Sequence, residues 1–514
     1  MRNWLTFAAA IVAAAVLLAS CGSAKESEKA VAAGKPMQLK VMEYNIEYGG
    51  TLVSLKKTEE ALTLAGADVV GIEESYNNLP KIAKATGYPY YNVSLQILSR
   101  YPLYEPSGGD GLYALIEVQP GYVIAFCNIH LDSVKYGPTA LLRGKPVDAV
   151  IAAENEVRTS ALSELLPVLS QLARQGYPVF LTGDFNEPSS LDYVAATVGL
   201  RPQITEPVAW PVSLALFNVG FRDSYREDNP DPAKKQGITW PAKRPKVAAW
   251  AGNPTPSDPR DRIDYVYAAG PSKTLACEVM GEQGGPDVSL SVTPWPSDHR
   301  AVVSTFEVTP LEMPTMVAVN ARLLTVGDTV TVTYKAPGTS GNKAAIVPAG
   351  GEVASPLMSH DAPGKKGSRT FDTSRLAAGG YEAVLTAGDG AEVARVPFWL
   401  RAKHAKVQLS TDKPTYSVGE PITVSWTDGP ANRWDWIGVY KASAADPNVD
   451  YYLVWDYTGL HASGTVPPQV DGSVTLGDSS QGEPWPLPPG KYVVYYLLTD
   501  AYTSAGSADF TVTK

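Results

Sequence analysis

The sequence predicts a large α/β (α+β) region of layered β-sheets covered by helices, followed by two smaller all-β modules. Apolar runs of strand length alternate with helical patterns over residues 38–309. Two β-rich stretches beyond residue 314 repeat one another. The chain has 514 residues, and because single cores rarely grow beyond about 250–300 residues, several domains are expected.

The composition is that of a folded protein rich in turns. Hydrophobic residues make up 44% and charged residues 19%, while 44 Gly and 42 Pro favour loops and β-structure over long helices. A net charge of −10 gives no general attraction to nucleic acid or anionic membranes, although a bound metal can supply positive charge locally. Three cysteines cannot form a disulfide framework. Cys127 and Cys277 lie in strand-like contexts, and we expect buried thiols or one disulfide.

The amino terminus has the pattern of an export signal. An apolar run from Trp4 to Leu18 is too short for a confident membrane span. It ends in Leu-Ala-Ser-Cys-Gly, which resembles a bacterial lipobox in which Cys21 is lipidated. We therefore expect a signal peptide at 1–21, a flexible tether at 22–37, and an extracytoplasmic protein anchored to a membrane through Cys21. An ordinary secretory signal with a chance cysteine is the alternative.

Strands and helices alternate in the pattern of residues 38–309. In chain order we predict strands at 39–46, 67–72, 96–103, 112–118, 122–130, 178–181, 262–267 and 301–308, with helices at 54–65 and 148–176. The second helix carries Leu162, Leu165, Leu169 and Leu172 at steps of three or four residues, which makes one apolar face.

Polar side chains follow most of these strands. Asp184 and Asn186 come after the apolar run 178–181, and since they are two apart, both point to the same side of an extended segment. Both residue types are common in turns, so a strand running into an Asx turn is the alternative. The same feature recurs at Asn45, Glu74, His130 with Asp132, Asp264, and Asp298 with His299. Six such strand ends are improbable as turn chemistry alone, and they indicate a metal or phosphate site.

These motifs, in this order, resemble the endonuclease/exonuclease/phosphatase superfamily, which has the deoxyribonuclease I-like fold. The resemblance rests on Asn45 after a strand, Glu74 after Val-Gly-Ile-Glu, Asn-Ile-His130-Leu-Asp, Gly-Asp184-Phe-Asn186, Arg-Ile-Asp264-Tyr and Ser-Asp298-His299. It implies a four-layer α/β sandwich with two central β-sheets. It also implies hydrolysis of phosphate esters with Mg²⁺, or with Mn²⁺ or Ca²⁺. Glu73 is a departure, because many relatives carry Gln at that position.

The resemblance implies a role for each site residue. Glu74 would be the principal metal ligand, since Mg²⁺ often takes only one or two carboxylates from the protein. Asn45 would assist it, and Asp298 would either bind the metal or act beside it without direct contact. Asp184 would orient or deprotonate the attacking water. Asn186 and His130 would donate hydrogen bonds to phosphoryl oxygens. His299 would contact the phosphate or exchange a proton, and Asp264 would hold its ring in one tautomer. Which group is the base stays open.

Two further groups are candidate substrate contacts. Tyr136, Arg143 and Arg158 follow His130 and either contact substrate or lie on the surface. The segment 234–246 contains Lys234, Lys235, Lys243, Arg244 and Lys246 together with Trp240. Such a loop either docks phosphates and bases or is simply solvated.

The last third of the chain repeats a β-pattern. Residues 326–334 are echoed by 418–426, and Gly-Gly-Tyr381 is echoed by Gly-Lys-Tyr492. We predict two immunoglobulin-like β-sandwiches, at 315–402 and 405–514, after a linker. The second is richer in aromatic residues, and Asp435 to Lys441 resembles a SKICH-type sandwich. Its aromatic residues either fill a core, which would leave both modules as spacers, or form a binding face for a lipid headgroup, glycan or protein.

Together these inferences predict a hydrolase: an exported, lipid-anchored, metal-dependent phosphoesterase. Nuclease and phospholipid or sphingomyelin phosphodiesterase are both open. Inositol-polyphosphate phosphatases usually carry Trp-x-Gly-Asp-x-Asn-x-Arg, whereas this chain has Leu-Thr-Gly-Asp-Phe-Asn-Glu. A surface binding protein with an inactive fold is the rival class, but no catalytic group of the motif set is missing. No obligate protein partner is indicated.

Overall fold

The computed structural model describes residues 32–514, except positions 110, 433, 444, 445, 449, 459–468 and 500. The predicted signal peptide, most of the tether and the lipidation of Cys21 lie outside the described residues. Within that described part, no helix has the length and apolar character needed to cross a membrane. Cys127 and Cys277 are both buried free thiols, so the single disulfide is excluded.

The strands before residue 313 form two sheets. They are β1 (Met37–Asn45), β2 (Val69–Glu73), β3 (Tyr90–Asn92), β4 (Ile97–Ser99), β5 (Leu103–Tyr104), β6 (Ala114–Gln119), β7 (Tyr122–His130), β8 (Val179–Asp184), β9 (Arg222–Asp223), β10 (Asp264–Ala269), β11 (Ser272–Gly281), β12 (Val288–Ser291), β13 (Ala301–Val308) and β14 (Leu311–Glu312). The first sheet has the order β12-β11-β13-β1-β2-β4-β3. The second has the order β5-β6-β7-β8-β10-β9, with β14 paired to β7.

Helices accompany the strands of both sheets. They are α1 (Leu55–Ala65), α2 (Leu79–Thr86), α3 (Gly137–Leu142), α4 (Val147–Glu154), α5 (Leu165–Arg174), α6 (Pro211–Asn218) and α7 (Ser224–Asp228). Residues of α1 and α2 pack on the first sheet, and residues of α5 and α6 pack on the second. A third buried cluster lies between the sheets, where Val41 and Val69 of the first meet Phe126 and Phe180 of the second. The predicted α/β sandwich is confirmed.

The single helix predicted over 148–176 is wrong. The segment is divided into α4, a π-helical turn at Asn155–Thr159, and α5. Pro167 supplies the reason: proline has no backbone N–H and clashes with the carbonyl four residues earlier, but it is tolerated in a first turn. A new helix therefore begins at Leu165. The predicted apolar face survives, because Leu162, Leu165, Leu169 and Leu172 are all buried.

The register of the strands brings polar residues together at one end of the sheets. On parallel β7 and β8, His130 lies opposite Asp184. On antiparallel β10, Asp264 also lies opposite Asp184. In the first sheet, Asn45 at the end of β1 is paired with Glu73 at the end of β2.

Two β-sandwiches follow. The first consists of β15 (Met316–Val319), β16 (Leu323–Thr325), β17 (Thr329–Lys335), β18 (Lys343–Pro348), β19 (Met358–Asp361), β20 (Lys366–Asp372), β21 (Gly379–Thr386) and β22 (Glu392–Arg401). The second consists of β23 (Gln408–Thr411), β24 (Thr415–Ser417), β25 (Ile422–Thr427), β26 (Trp436–Lys441), β27 (Val454–Tyr457), β28 (Gly472–Leu476), β29 (Gln481–Gly482), β30 (Gly490–Leu497) and β31 (Ser504–Thr513). The sheets of the first are β15-β17-β20 and β16-β22-β21-β18-β19. Those of the second are β23-β25-β28 and β24-β31-β30-β26-β27-β29. Apart from the added β29, the strand order is the same.

The two sandwiches contact different parts of the α/β sandwich. In the first, Lys366 pairs with Glu117 of β6 and Lys335 Nζ lies 2.8 Å from Glu312 Oε1. In the second, the Tyr502 ring stacks on Tyr48, with ring centroids 6.0 Å apart. Tyr48 follows β1, so the second sandwich reaches the end of the sheets where the polar residues gather.

Candidate active site

The Asp184 carboxylate lies between two imidazole rings. Its Oδ2 atom is 3.5 Å from His130 Nε2 and 3.6 Å from His299 Nε2. The same oxygen accepts a hydrogen bond from the Asn45 side-chain amide at 3.1 Å. Asp184 is only 1% exposed. An almost fully buried carboxylate thus has two neighbours able to carry positive charge.

The backbone around Asp184 is tightly specified. Gly183 has φ of 152°, and a Cβ there would lie 2.0 Å from the Ile129 carbonyl oxygen, so no larger residue fits. Asn186 has a left-handed φ of 48°. Its backbone N–H donates to Asp184 Oδ1 at 2.9 Å, and its side-chain amide donates to the Leu131 carbonyl at 2.9 Å. The Asx turn that was the alternative interpretation is therefore present, and it forms part of the site.

His299 is held by Asp264. Its Nδ1 lies 3.0 Å and 3.1 Å from the two carboxylate oxygens of Asp264. The Asp264 backbone N–H donates to Thr239 Oγ1 at 3.2 Å, which fixes the start of β10. This arrangement leaves Nε2 of His299 directed toward Asp184.

Burial and charge set the protonation of this group. Burial opposes a charge on His299, but Asp264, Asp184 and Asp298 together outweigh it and raise the pKa of His299 well above its usual value. Burial raises the pKa of Asp184 to about 6, although His299 counteracts the rise. At neutral pH the site therefore holds a charged imidazole beside an ionised carboxylate.

Glu74 and Asp298 complete the acidic set. Glu74 Oε2 accepts the Tyr48 backbone N–H at 2.9 Å, and Asp298 Oδ2 accepts Trp240 Nε1–H at 3.1 Å. Glu74 has a left-handed φ of 54°, a conformation that is uncommon for non-glycine residues. The Asn45 amide nitrogen is 3.3 Å from Glu74 Oε1. Asn45 thus joins the Glu74 and Asp184 carboxylates.

The donor set fits a hard divalent cation. The ligands predicted for Mg²⁺ were Asn45, Glu74 and Asp298, and the two carboxylates among them offer the oxygens that Mg²⁺ prefers. The Asn45 oxygen instead accepts the Glu47 backbone N–H at 3.1 Å, so the amide presents its nitrogen to Glu74. A second grouping, Asp184, Asp264 and His299, has ligand atoms within 4.8 Å of one another. In it, the hydrogen bond between His299 and Asp264 occupies Nδ1.

A sequence model of the Endonuclease/Exonuclease/phosphatase family matches residues 42–299, which is half of the chain. The chain belongs to this family. An uncharacterized protein of Caenorhabditis elegans is 28% identical over 293 residues, covering 52% of this chain and 91% of that protein.

Solved structures of the fold are similar at low identity. An endonuclease/exonuclease/phosphatase from Beutenbergia cavernae is 17% identical, covers 71% of this chain and 100% of its own, and has a TM-score of 0.34. A mannosyl-6-phosphatase of Bacteroides thetaiotaomicron is 14% identical, covers 52% and 99%, and has a TM-score of 0.30.

Glu73, where many relatives carry Gln, interacts with a second buried glutamate, Glu43, that sequence reasoning missed. Glu43 and Glu73 are both fully buried. No N–H or O–H group of another described residue reaches their carboxyl oxygens. Burial raises the pKa of Glu43 well above its usual value, and the nearby charges of Asp264 and Glu73 raise it further. Burial also raises the pKa of Glu73, to about 8. Only the strand register, which places β1 beside β2, reveals the pair.

Part of the basic loop reaches the site. The Trp240 ring centroid lies 6.4 Å from that of His299. Arg244 Nε donates to Glu47 Oε2 at 2.6 Å, and the Asp298 backbone N–H donates to the same oxygen at 3.0 Å. Lys234 is exposed instead, 3.1 Å from Asp231. Trp240 and Arg244 therefore fix the segment around Asp298.

The three candidate substrate contacts that follow His130 lie in different surroundings. Tyr136 donates to Asp261 Oδ2 at 3.2 Å, and its ring meets the Trp240 ring edge-on. Arg143 is exposed just after α3. Arg158 is fully buried, 2.5 Å from Glu154 and 2.7 Å from the Val134 carbonyl. Arg158 is therefore placed to hold the chain after His130, and it offers no surface to a substrate.

Arg262 anchors the strand that carries Asp264. The guanidinium is fully buried and donates to Asp192 at 3.0 Å and to Asp223 at 2.7 Å. It also lies 4.6 Å from the centre of the Tyr265 ring. Asp192 and Asp223 are distant in sequence and carried no motif, so this network could not be read from the sequence.

Proposed function

We propose that the protein is a metal-dependent phosphoesterase that hydrolyses phosphodiester bonds. The observation that carries the proposal is the Asp184 carboxylate set between His130 and His299, with Asp264 on the far side of the His299 ring. Such a group can accept a proton from water and donate hydrogen bonds to phosphoryl oxygens at the same time. Membership of a phosphoesterase family supports the proposal.

The residues divide the reaction between them. Asp184 takes a proton from the water whose oxygen forms the new bond to phosphorus. His130 and the charged His299 donate to the equatorial oxygens while the bond from phosphorus to the ester oxygen breaks. The proton that Asp184 took from the water then passes to the departing oxygen, so the site returns to its starting charge. A divalent cation held by Glu74 and Asp298, Mg²⁺ or else Mn²⁺ or Ca²⁺, would neutralise charge on the phosphoryl group.

The proposal includes where the protein acts and how the chain is organised. Lipidation at Cys21 would hold a catalytic domain, residues 38–309, outside the cytoplasm on a membrane surface. The modules at 315–402 and 405–514 are proposed to be immunoglobulin-like, with the second SKICH-like. In support, each carries a tyrosine whose hydroxyl donates to the carbonyl four residues upstream, similar to the tyrosine corner of such sandwiches.

The alternatives are a sphingomyelinase-like phospholipid phosphodiesterase and a non-catalytic surface binding protein. The first falls within the proposed chemistry and differs only in substrate. The second needs a lost catalytic group, whereas His130, Asp184, Asp264 and His299 lie together.

Turnover of bis-p-nitrophenyl phosphate by the full chain tests the proposal. With Mg²⁺ or Mn²⁺ we expect hydrolysis that His299→Ala lowers by roughly 10²–10⁴-fold, the usual contribution of one acid–base group. Glu74→Gln should raise the metal concentration needed for half-maximal rate. Wild-type turnover no faster than that of His299→Ala would overturn the enzyme proposal in favour of the binding protein.

A further inference from the structure

A cavity of about 240 Å³ opens directly beside the catalytic residues. Glu74 and His130 form part of its wall. The second sandwich supplies five aromatic side chains to the rest: Trp436, Tyr452, Trp455, Tyr457 and Tyr502. A group bound here would therefore be attached to, or lie next to, a phosphoryl group at Asp184.

Trp436 stands nearly at right angles to its aromatic neighbours in this cavity, while Tyr502 lies stacked on Tyr48 and Tyr452. The Trp436 ring makes an angle of 77° with Trp455 and 87° with Tyr502. The Trp455 and Tyr457 rings are at 90°. A flat base or sugar stacks best in a slot with parallel faces, whereas a rounded cation gains from several faces turned toward it. The rings that meet Trp436 at right angles give a rounded cation faces of more than one orientation.

The fold itself does not require these rings. In the first sandwich Pro348 is paired with Tyr381, and in the second Lys441 is paired with Tyr492, which aligns β18 with β26. From that alignment, the cross-strand pair Trp436–Tyr457 corresponds to Lys343–Asp361.

By the same alignment Trp455 corresponds to Ser359. The same strands thus form with lysine, serine and aspartate at the three positions. The aromatic face is a property of the second sandwich alone, and it is the face turned to the catalytic residues.

The charge near the cavity also favours a cation. An adjoining groove of about 640 Å³ shares His130 and Tyr457 with the cavity. Its carboxylates are Asp132, Glu156, Asp456, Asp478 and Glu483. Among the described residues that line the groove, Lys135 is the one lysine, and that ammonium lies 3.8 Å from Glu156. A polyanion entering along this groove would meet a surface of its own sign, so nucleic acid is disfavoured.

We propose that the aromatic cavity binds the quaternary ammonium group of the substrate, and that the substrates are phosphodiesters of choline-type alcohols. The ammonium would rest against the faces of Trp455, Tyr452 and Tyr502 while the ester phosphorus lies at Asp184 and His130. This inference rests on the proposed phosphodiesterase activity, and it adds the chemical class of one ester group.

A matched pair of chromogenic esters tests the inference on the wild-type protein. p-Nitrophenyl phosphorylcholine carries the cation, and p-nitrophenyl 3,3-dimethylbutyl phosphate has the same shape with an uncharged carbon in place of the ammonium nitrogen. We expect kcat/KM to be about tenfold or more higher for the choline ester, since a desolvated cation on aromatic faces is worth roughly that factor. Equal rates for the two esters would overturn the inference while leaving the phosphodiesterase standing. No turnover of either above His299→Ala would overturn the proposed function instead.

Trp455→Ser places in the second sandwich the residue that the first carries at the equivalent position. We expect the ratio of the two kcat/KM values to fall toward one. Trp399→Ser is the matched control, because Trp399 is also a half-buried strand tryptophan but lines neither cavity, and it should keep the wild-type ratio. An unchanged ratio in Trp455→Ser would overturn the assignment of the cavity.

Further substrates distinguish a lipid-bound choline ester from a soluble one. A nucleotide ester tests the alternative that the cavity binds a base. Release of phosphocholine or choline from phosphatidylcholine vesicles would identify a lipid headgroup, and release from glycerophosphocholine would identify a soluble ester; either supports the inference. Thymidine 5′-p-nitrophenyl phosphate offers a base in place of the cation. A higher kcat/KM for this ester than for p-nitrophenyl phosphorylcholine would overturn the inference in favour of nucleotide substrates.

Discussion

The two β-sandwiches carry a large aromatic side chain opposite a glycine at the same place in the three-stranded sheet. In the first, Tyr334 is paired with Gly367, and in the second, Trp426 is paired with Gly472. A Cβ on either glycine would come within 2.6 Å or 2.5 Å of the facing aromatic group. The glycine in each case leaves room for the ring, and both rings are buried.

The polar residue just before the aligned strands β18 and β26 donates hydrogen bonds in the first sandwich and accepts them in the second. Asn342, just before β18, donates to backbone carbonyls, among them Gly338 at 3.0 Å. Asp435, just before β26, accepts instead, from the Tyr496 hydroxyl at 3.0 Å and the Thr499 backbone N–H at 2.9 Å. Together with the change from Lys343 to Trp436, this shows that the ring-on-glycine packing is shared, while the start of the aligned strands β18 and β26 differs at a buried polar position and at the position after it. The face turned to the catalytic cavity was among those free to change.

Exchanging the aligned residues Trp436 and Lys343 should give the largest difference in stability between the two sandwiches. Trp436 is 5% exposed and donates to the Ala501 carbonyl at 3.0 Å. Trp436→Lys should lower the free energy of unfolding by about 3–5 kcal/mol, because it removes a buried ring and buries a charge. Lys343→Trp, at an exposed position, should change it by less than about 0.5 kcal/mol. Urea denaturation measures both, and equal losses would show that the two faces are equivalent after all.

The buried Asp435 should give the second sandwich a pH dependence of its own. Burial raises the pKa of Asp435 to about 6, against the hydrogen bonds it accepts. In the unfolded chain its pKa is about 3.9. The folded state therefore binds the proton more tightly, so this contribution to stability is fully present below pH ~4 and is lost as pH rises through ~6.

The corresponding measurement compares wild type with Asp435→Asn. Between pH 7.5 and pH 5 the wild type should gain about 1.4 kcal/mol from this carboxyl, and the variant should not. Exposed Asp509 lies in the same sandwich, and Asp509→Asn serves as control. If Asp435→Asn follows the wild-type pH profile, the raised pKa of Asp435 is refuted.

Local sequence was enough to place the strand-end residues of the catalytic site. Asp184 and His130 end apolar runs, and the strand register then sets them side by side because parallel neighbours end together. The pairing of His299 with Asp264 followed only from the family resemblance, since nothing local links positions 35 residues apart. The Glu43–Glu73 pair was not predicted at all, because a glutamate within a strand carries no signal until the opposite strand is known.

The sequence also could not show where in the second sandwich its aromatic residues lie. Their number was evident, and both a core and a binding face were considered for them. The structure divides them between the two: Trp426 and Tyr496 lie in the sandwich core, while Trp455 and Tyr502 line the catalytic cavity. Alternation along a strand gives two faces, but which face meets another part of the chain depends on packing between residues hundreds of positions apart.

The smallest effect expected is also the one that should be equal in the two sandwiches. The Tyr381 hydroxyl donates to the Ala377 carbonyl at 2.9 Å, and the Tyr492 hydroxyl donates to the Pro488 carbonyl at 2.6 Å. Each ring also stacks on a phenylalanine, at 5.8 Å and 5.5 Å between centroids. Tyr381→Phe and Tyr492→Phe remove only the hydroxyl, so each should cost about 0.5–1.5 kcal/mol, and the double variant should show their sum. Differential scanning calorimetry gives both values. A much larger loss at one tyrosine would contradict the equivalence of the two sites, because the same hydrogen bond would then contribute differently to the stability of the two sandwiches.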